Sequence, residues 1–178
     1  MKSKIQEFQK NNLPEMIKTK STSLIILCLL TAFSFAQNKK IATIIQYDEF
    51  VNASKVETKN FKPLRIESLI NEIQSSVYLE FDGVKTYGLK PVSVFTSVKN
   101  IQNVKKYDIK KENIEILNIR INNFDDLKSN IDLSIFSDFK KLKYIYIISD
   151  IKCNNTDVES IVKNIGNYIV LYKIASNS

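Results

Sequence analysis

Four aspartates crowd one short stretch of the chain: Asp125, Asp126, Asp132 and Asp138. Carboxylates grouped this way are the raw material of hard-cation binding and of paired acid–base work. Paired carboxylates need a defined spacing across a cleft, however. These four fall in a turn and an amphipathic segment, where solvated acids near helix starts are expected. No metal site and no catalytic site is expected from them. The chain has no histidine, which removes the commonest general base and metal ligand and with it any Ser-His-Asp or Cys-His arrangement. Cys153, with no histidine to activate it, reads as a small buried hydrophobe rather than a nucleophile. The stretch DGVKTYG (82–88) lacks the glycine spacing and the Lys-Ser/Thr of a phosphate loop. Lys105-Lys106 and Lys110-Lys111 read as solvated loop charge. No cofactor is expected.

One segment must be set aside before any fold argument. Residues 24–36, LIILCLLTAFSFA, form a short apolar run preceded by Lys18 and Lys20 and closed by Ser34-Phe35-Ala36. A basic start, a short apolar stretch and a small-residue exit predict a secretory signal peptide over 16–36, cleaved between Ala36 and Gln37. The run is shorter than the about 20 residues needed to span a bilayer. A membrane anchor is the alternative reading of the same run. Residues 1–15 make an odd prefix, and Met16 followed by IKTKSTS is a more usual beginning. The alternative is an extended n-region. The expected location is exported, either periplasmic or secreted to the cell surface, with no stable membrane span after cleavage.

The chain after the signal, 37–178, is long enough to bury a sizeable core as one domain. Losing five lysines and two glutamates with residues 1–36 takes 26 basic and 19 acidic residues to 21 and 17, a net charge of +4. Arginine occurs only at Arg65 and Arg120, whereas readers of phosphate and base edges favour arginine forks. Nucleic acid is an unfavoured partner. Of the two cysteines, only Cys153 remains after cleavage, so no intrachain disulfide forms and the apolar core must hold the domain alone.

The elements read as follows. IATII (41–45) predicts an N-terminal strand. Pro63 starts a helix whose face is Ile66, Leu69, Ile70 and Ile73. VYLEF (77–81) predicts a strand and 82–88 a turn. After Gly88 the chain becomes rhythmic. LKPVSVFTS (89–97), IEILNIRIN (114–122), LKYIYIISD (142–150) and IVLYKIASN (169–177) each place apolar residues at first, fourth and sixth positions and a polar residue at the ninth. Their starts are 25, 28 and 27 residues apart. Two connections look helical. In one, Thr156 and Glu159 suggest a capping box, Ile161, Val162 and Ile165 a buried face, and Gly166 a C-terminal cap. In the other, 133–142, Leu133, Phe136 and Phe139 point inward. The connection from 98 to 113 is lysine-rich and weakly patterned.

This four-fold pattern resembles the leucine-rich repeat, L-x-x-L-x-L-x-x-N/C-x-L, over residues 89–177. The resemblance implies an α/β fold: a short leucine-rich-repeat-like solenoid of parallel strands at 89–178, with 37–88 as an N-terminal α+β cap. It also implies that ninth-position residues such as Asn122 turn inward to satisfy backbone groups. The alternative is a compact α/β sheet domain, since strands alternating with helices give that class in any case. In the repeat reading the odd strand positions line an open concave face: Pro91, Ser93 and Phe95; Ile116, Asn118 and Arg120; Tyr144, Tyr146 and Ile148; Leu171, Lys173 and Ala175. Solenoids meet partners on this face, and its aromatic and cationic members suit a protein-binding surface. The candidate binding residues are Phe95, Asn118, Arg120, Tyr144, Tyr146 and Lys173. The competing expectation is a second layer over these strands, because a strand covered on both faces reads as a continuous apolar run, as YIYIIS does. The function expected is a non-enzymatic protein-binding module with an unknown protein partner. The alternatives are a small exported α/β enzyme or an accessory subunit.

Overall fold

Alternating runs of Ile, Val, Leu and Tyr between polar connections form strands because branched and aromatic side chains suit a pleated, buried surface. The computed structural model describes residues 44–57 and 64–174, within one unit spanning Ala42–Ser178. The expected signal peptide, the prefix before Met16, Pro63, Ala175 and Asn177 lie outside the described residues. The strands are β1 (Ile44–Gln46), β2 (Ser76–Leu79), β3 (Val84–Tyr87), β4 (Ser93–Ser97), β5 (Ile116–Ile121), β6 (Ile131–Asp132), β7 (Tyr144–Ser149), β8 (Val162–Lys163) and β9 (Ile169–Ile174). Seven of them make one sheet in the order β1-β9-β7-β5-β4-β2-β3. Every pairing in it is parallel except β2 with β3. The two-residue strands β6 and β8 pair in parallel as a separate bridge. No helix among the described residues is long and apolar enough to cross a membrane.

From β2 onward, β2, β4, β5, β7 and β9 succeed one another across the sheet. The protein is thus α/β with a mostly parallel sheet, in which β4, β5, β7 and β9 are successive neighbours. The register is Val94↔Leu117↔Ile145↔Val170 on one face and Phe95↔Asn118↔Tyr146↔Leu171 on the other. Positions 94, 117, 145 and 170 are 23, 28 and 25 residues apart. The middle interval agrees with the spacing read from the sequence, and the outer two are each shorter by two. A slip of two keeps every side chain on its face, whereas a slip of one reverses them all. That is why the division into faces survives although the outer units start elsewhere. Leu89, taken as the first position of its unit, is instead almost fully exposed.

The even-numbered face of β4 and its odd-numbered equivalents in β5 and β7 pack on the connections. Val94, Leu117, Ile119, Ile145, Ile147 and Val170 share a core with Ile101, Val104, Leu133, Phe136, Val158 and Ile161. Two of these connections are 3-10 rather than α-helical, Val98–Lys105 and Leu133–Phe136. With three residues per turn, side chains at i, i+3 and i+6 align. Val98, Ile101 and Val104 follow that period, as do Leu133, Phe136, Phe139 and Leu142, and all are buried. The inward face expected at Leu133, Phe136 and Phe139 is present.

The opposite face carries a second apolar layer. Helix α1 (Tyr47–Glu57) and helix α2 (Arg65–Asn71) set Tyr47, Val51, Ile66 and Leu69 against Ile116, Tyr144, Tyr146 and Leu171. β1 and α1 sit at the β9 end of the sheet, opposite β2 and β3. The crossover from β1 back to β2 therefore runs across this second face, while the later connections run across the first in the opposite direction. Reversing both face and direction preserves the hand, as parallel crossovers require. α2 is shorter than the sequence suggested: it ends at Asn71, and Ile73, expected on its apolar face, is fully exposed.

Other local expectations are corrected. The segment 82–88 is not all turn, since β3 occupies most of it. The last helix, α3 (Asn155–Ile161), is capped by Asn154 and Asp157 rather than by Thr156 and Glu159. Asp157 Oδ2 accepts from the Asn154 amide at 2.8 Å, and Asn154 Oδ1 from the Asp157 amide at 3.0 Å. Gly166 lies beyond its end, because Val162 is already extended. Asn122 is exposed rather than inward. The buried group at that turn is Asp126, whose Oδ2 accepts from the Asn122 amide at 2.8 Å and the Asn123 amide at 3.4 Å.

Candidate binding site

The helical layer decides which part of the sheet remains open. α2 is fixed at the start of β5 by a two-pronged pair in which Arg65 Nε and Nη2 donate to Glu115 Oε2 and Oε1 at 3.0 and 2.8 Å. That guanidinium holds the Glu115 carboxyl below its usual range. α1 and α2 are joined by Lys55 and Glu67 at 3.1 Å. Beneath α1, the Tyr47 and Tyr146 rings lie 5.4 Å apart. Burial, then the nearby Tyr47 and Asp48, push the Tyr146 phenol up to about 12. Tyr144 and Tyr146 are only 6% and 5% exposed. They belong to the interior, and the second layer weighed from the sequence is what covers them. Their expected place on an exposed binding face is corrected accordingly.

This layer packs over β5, β7 and β9; on the same face of β2 and β4 Ser76 and Ser93 are still buried, while Tyr78 and Phe95, nearer the carboxyl ends, stay partly exposed. There Tyr78 and Phe95, opposite each other in register, stack at 4.9 Å with ring planes 13° apart. Tyr87 meets Tyr78 edge-on at 5.5 Å. Offset stacks and edge-to-face contacts are the preferred aromatic geometries. Beside the stack, at the carboxyl ends of β2, β4, β5 and β7, a cleft of about 440 Å³ opens. Its lining includes Tyr78, Phe95, Asn100, Asn118, Arg120, Asn122 and Ile148.

Asn118 and Thr96 are buried polar members of this lining, and Asn118 Nδ2 donates to Ser93 Oγ at 2.9 Å and to the Val94 carbonyl at 3.2 Å. Those two bonds hold the amide in place at a position flanked in register by Phe95 and Tyr146. Arg120, two residues further on, is exposed and pairs through Nε with Asp150 Oδ2 at 2.9 Å. Its two terminal nitrogens have no partner among the described residues, so the outer edge of the fork is free for a carbonyl or carboxylate. Ile148 forms the facing apolar wall, level with Arg120.

Of the six residues expected to bind, the fold brings Phe95, Asn118 and Arg120 together here. Lys173 is exposed but lies apart, 3.7 Å from Asp48 and 5.8 Å from the centre of the Tyr47 ring. Sequence reasoning missed Tyr78, Asn100 and Asn122 as cleft residues. Tyr78 carried one usable signal: between buried Val77 and Leu79, period-two alternation puts it on the opposite face.

The four aspartates do not converge. Asp125 pairs with Lys128 at 2.8 Å, Asp138 with Lys111 at 2.6 Å, and Asp126 closes the turn after β5. Asp132 accepts from Asn164 Nδ2 and from the Ser134 amide, both at 2.9 Å. Those hydrogen bonds, the Asn164 one foremost, hold its carboxyl below the usual range. Among the described residues no group of three His, Cys, Asp or Glu side chains is placed to hold a metal ion. Cys153 is half-buried, with Sγ 3.3 Å from Ser149 Oγ. No protein family, no curated protein and no solved structure matches this chain.

Proposed function

We propose that the protein is an exported, non-enzymatic protein-binding module that takes its partner in the Phe95–Arg120 cleft. The observation that carries this reading is where the α1–α2 layer stops. It leaves an aromatic stack, a fixed amide and a half-free arginine around one opening. Open α/β sheets bind ligands outside the carboxyl ends of their strands. Aromatic and arginine side chains are the residue types that dominate binding energy at protein interfaces. The cleft volume suits one or two inserted side chains rather than a broad flat contact. The chemistry it favours is an apolar side chain between Phe95 and Ile148, with a carbonyl or carboxylate oxygen on Arg120. In this reading the sequential strands form a short leucine-rich-repeat-like series. α1 and α2 lie across most of the face such repeats present, and partner binding moves to the uncovered end.

A random peptide library displayed on phage and selected on residues 37–178 tests this. Enriched peptides are then titrated calorimetrically against the parent chain, Phe95→Ala and Arg120→Ala. The expected result is micromolar binding that weakens at least about tenfold in each variant, the loss that a residue worth 1.4 kcal/mol produces. No enrichment, or peptides that bind all three proteins equally, would count against the cleft.

A further inference from the structure

The mouth of the cleft gathers donors that the fold itself leaves unused among the described residues. Ser97 and Arg120 are opposite each other in register, side by side on the cleft face at the carboxyl ends of β4 and β5. Ser97 precedes the 3-10 segment but makes no side-chain cap bond. The side chains of Ser97, Asn100 and Asn122, like the two terminal nitrogens of Arg120, have no hydrogen-bond partner among the described residues. The nearby acids are already engaged, Glu80 with Lys85 and Asp150 with Arg120 Nε. What stays unpaired at this mouth is a guanidinium edge, one hydroxyl and two amides. A neutral carbonyl oxygen has two lone pairs to offer, whereas an ionised carboxylate offers about four and meets an arginine fork with both oxygens. That surplus of donors favours a carboxylate over the carbonyl of a continuous chain.

Resting on the reading of this cleft as a protein-binding site, we propose that its ligand is the free C-terminus of the partner. The last residue is apolar, and its α-carboxylate sits on Arg120 and Ser97. One row deeper on the same face stand Phe95 and Asn118, also opposite each other in register. Two residues along a strand advance about 6.6 Å. A C-terminal residue carries its carboxylate and its side chain on one Cα, so it spans the two rows by itself. Its carboxylate lies at the Ser97–Arg120 row and its side chain over Asn118, between Phe95 and Ile148. An internal Asp or Glu would also bring a carboxylate, but its own side chain would then be taken up by Arg120 and the apolar space left to another residue. Asn118 supplies the complementary acceptor. Its Nδ2 is held by Ser93 and Val94, while its Oδ1 has no partner among the described residues and is left to take the N–H of the last peptide unit. Donors for the carboxylate and an acceptor for the amide therefore stand in the order in which a chain terminus presents them.

Two synthetic pools of short peptides test this, both randomised except for a terminal Leu, Ile or Phe. They differ only in ending as a free acid or as an amide. Each is titrated by fluorescence anisotropy against residues 37–178, which contain the whole compact unit Ala42–Ser178. The acid pool should bind at least about tenfold tighter than the amide pool. Phe95→Ala should weaken both pools alike. Arg120→Gln combined with Asp150→Asn removes the fork without changing the net charge of the pair, and should bring the acid pool down to the amide. Asp150→Asn alone frees the whole guanidinium and should tighten the acid pool only. Lys173→Gln, which removes a positive charge away from the cleft, should leave the preference unchanged. Thermal melts by circular dichroism establish that each variant is folded. An acid preference that survives the double variant, or disappears in Lys173→Gln, would overturn the inference. Equal binding of both pools to the parent, with both weakened in Phe95→Ala, would overturn the C-terminal assignment and leave the cleft as a protein-binding site. If neither pool binds, or Phe95→Ala weakens neither, the reading of the cleft falls as well.

Discussion

Replacing Asp126 with alanine removes the buried acceptor that closes the turn after β5. Its Oδ2 takes the Asn122 amide at 2.8 Å and the Asn123 amide at 3.4 Å. A hydrogen bond to a charged group contributes about 1.5–3 kcal/mol. The longer one is near the geometric limit and adds little. Against this, Asp126 Oδ1 is buried without a partner among the described residues, and deleting an unsatisfied polar atom returns about 1 kcal/mol. The net expected loss is about 0.5–2 kcal/mol. Asn123→Ala should cost about 1 kcal/mol, since Asn123 Oδ1 accepts from the Asp125 and Asp126 amides at 3.1 and 3.2 Å in a partly exposed turn. Asn122→Ala should stay within about 0.5 kcal/mol, as exposed substitutions do. Urea melts at neutral pH give all three values, provided the m-value is unchanged. If Asn122→Ala alone were costly while Asp126→Ala stayed mild, an inward asparagine would close this turn and the reasoning would fail.

Three further outcomes follow from the same structure. Raising the pH from 10 to 12 ionises Tyr146 in the unfolded chain but not in the folded one, so stability falls across that window. A shift of this size corresponds to about 2–3 kcal/mol for this one phenol. Tyr146→Phe should lose less stability than the parent over that range, and parallel urea midpoints at pH 9 and 11.5 would contradict the assignment. Gly88 has φ +84, and a Cβ there would run into Ser75 Oγ and lie 2.7 Å from Ser75 Cβ. Gly88→Ala should therefore cost about 2 kcal/mol or more in the same melts, and a neutral result would mean the hairpin end relaxes freely. Expression of the full chain in a bacterial host, followed by N-terminal sequencing of the exported form, should read from Gln37. An uncleaved protein held in the inner membrane would make residues 24–36 an anchor.

The strands were legible because their chemistry is local. ILNIRI and YIYIIS declare buried β-structure by composition alone, and period two divides their side chains correctly between faces. What covers each face was not legible. Tyr144 and Tyr146 are amphipathic residues that suit either an open binding face or a core. Their burial depends on a helix far away in sequence, and no local pattern encodes that return of the chain from β1 to β2. The connections were less legible for a different reason. A search tuned to the 3.6-residue period passes over Val98, Ile101 and Val104, which repeat every three. The cleft was half visible: Phe95, Asn118 and Arg120 stand on the face that alternation predicts. Tyr78 joins them only through the parallel register of β2 with β4, Asn100 through the 3-10 helix that follows β4, and Asn122 through the turn after β5.

The most direct test of the binding site is an NMR measurement on residues 37–178 in complex with the tightest selected peptide. Intermolecular nuclear Overhauser effects are collected from the peptide to assigned aromatic and methyl protons. The expected contacts are to the Phe95 and Tyr78 rings and the Ile148 methyls, with the Arg120 Nε–H shifted on binding and Tyr144 and Tyr146 silent beneath α1 and α2. Contacts that instead reach Tyr144, Tyr146 or Lys173 would mean that the helical layer opens to admit the partner and that the cleft is not the site.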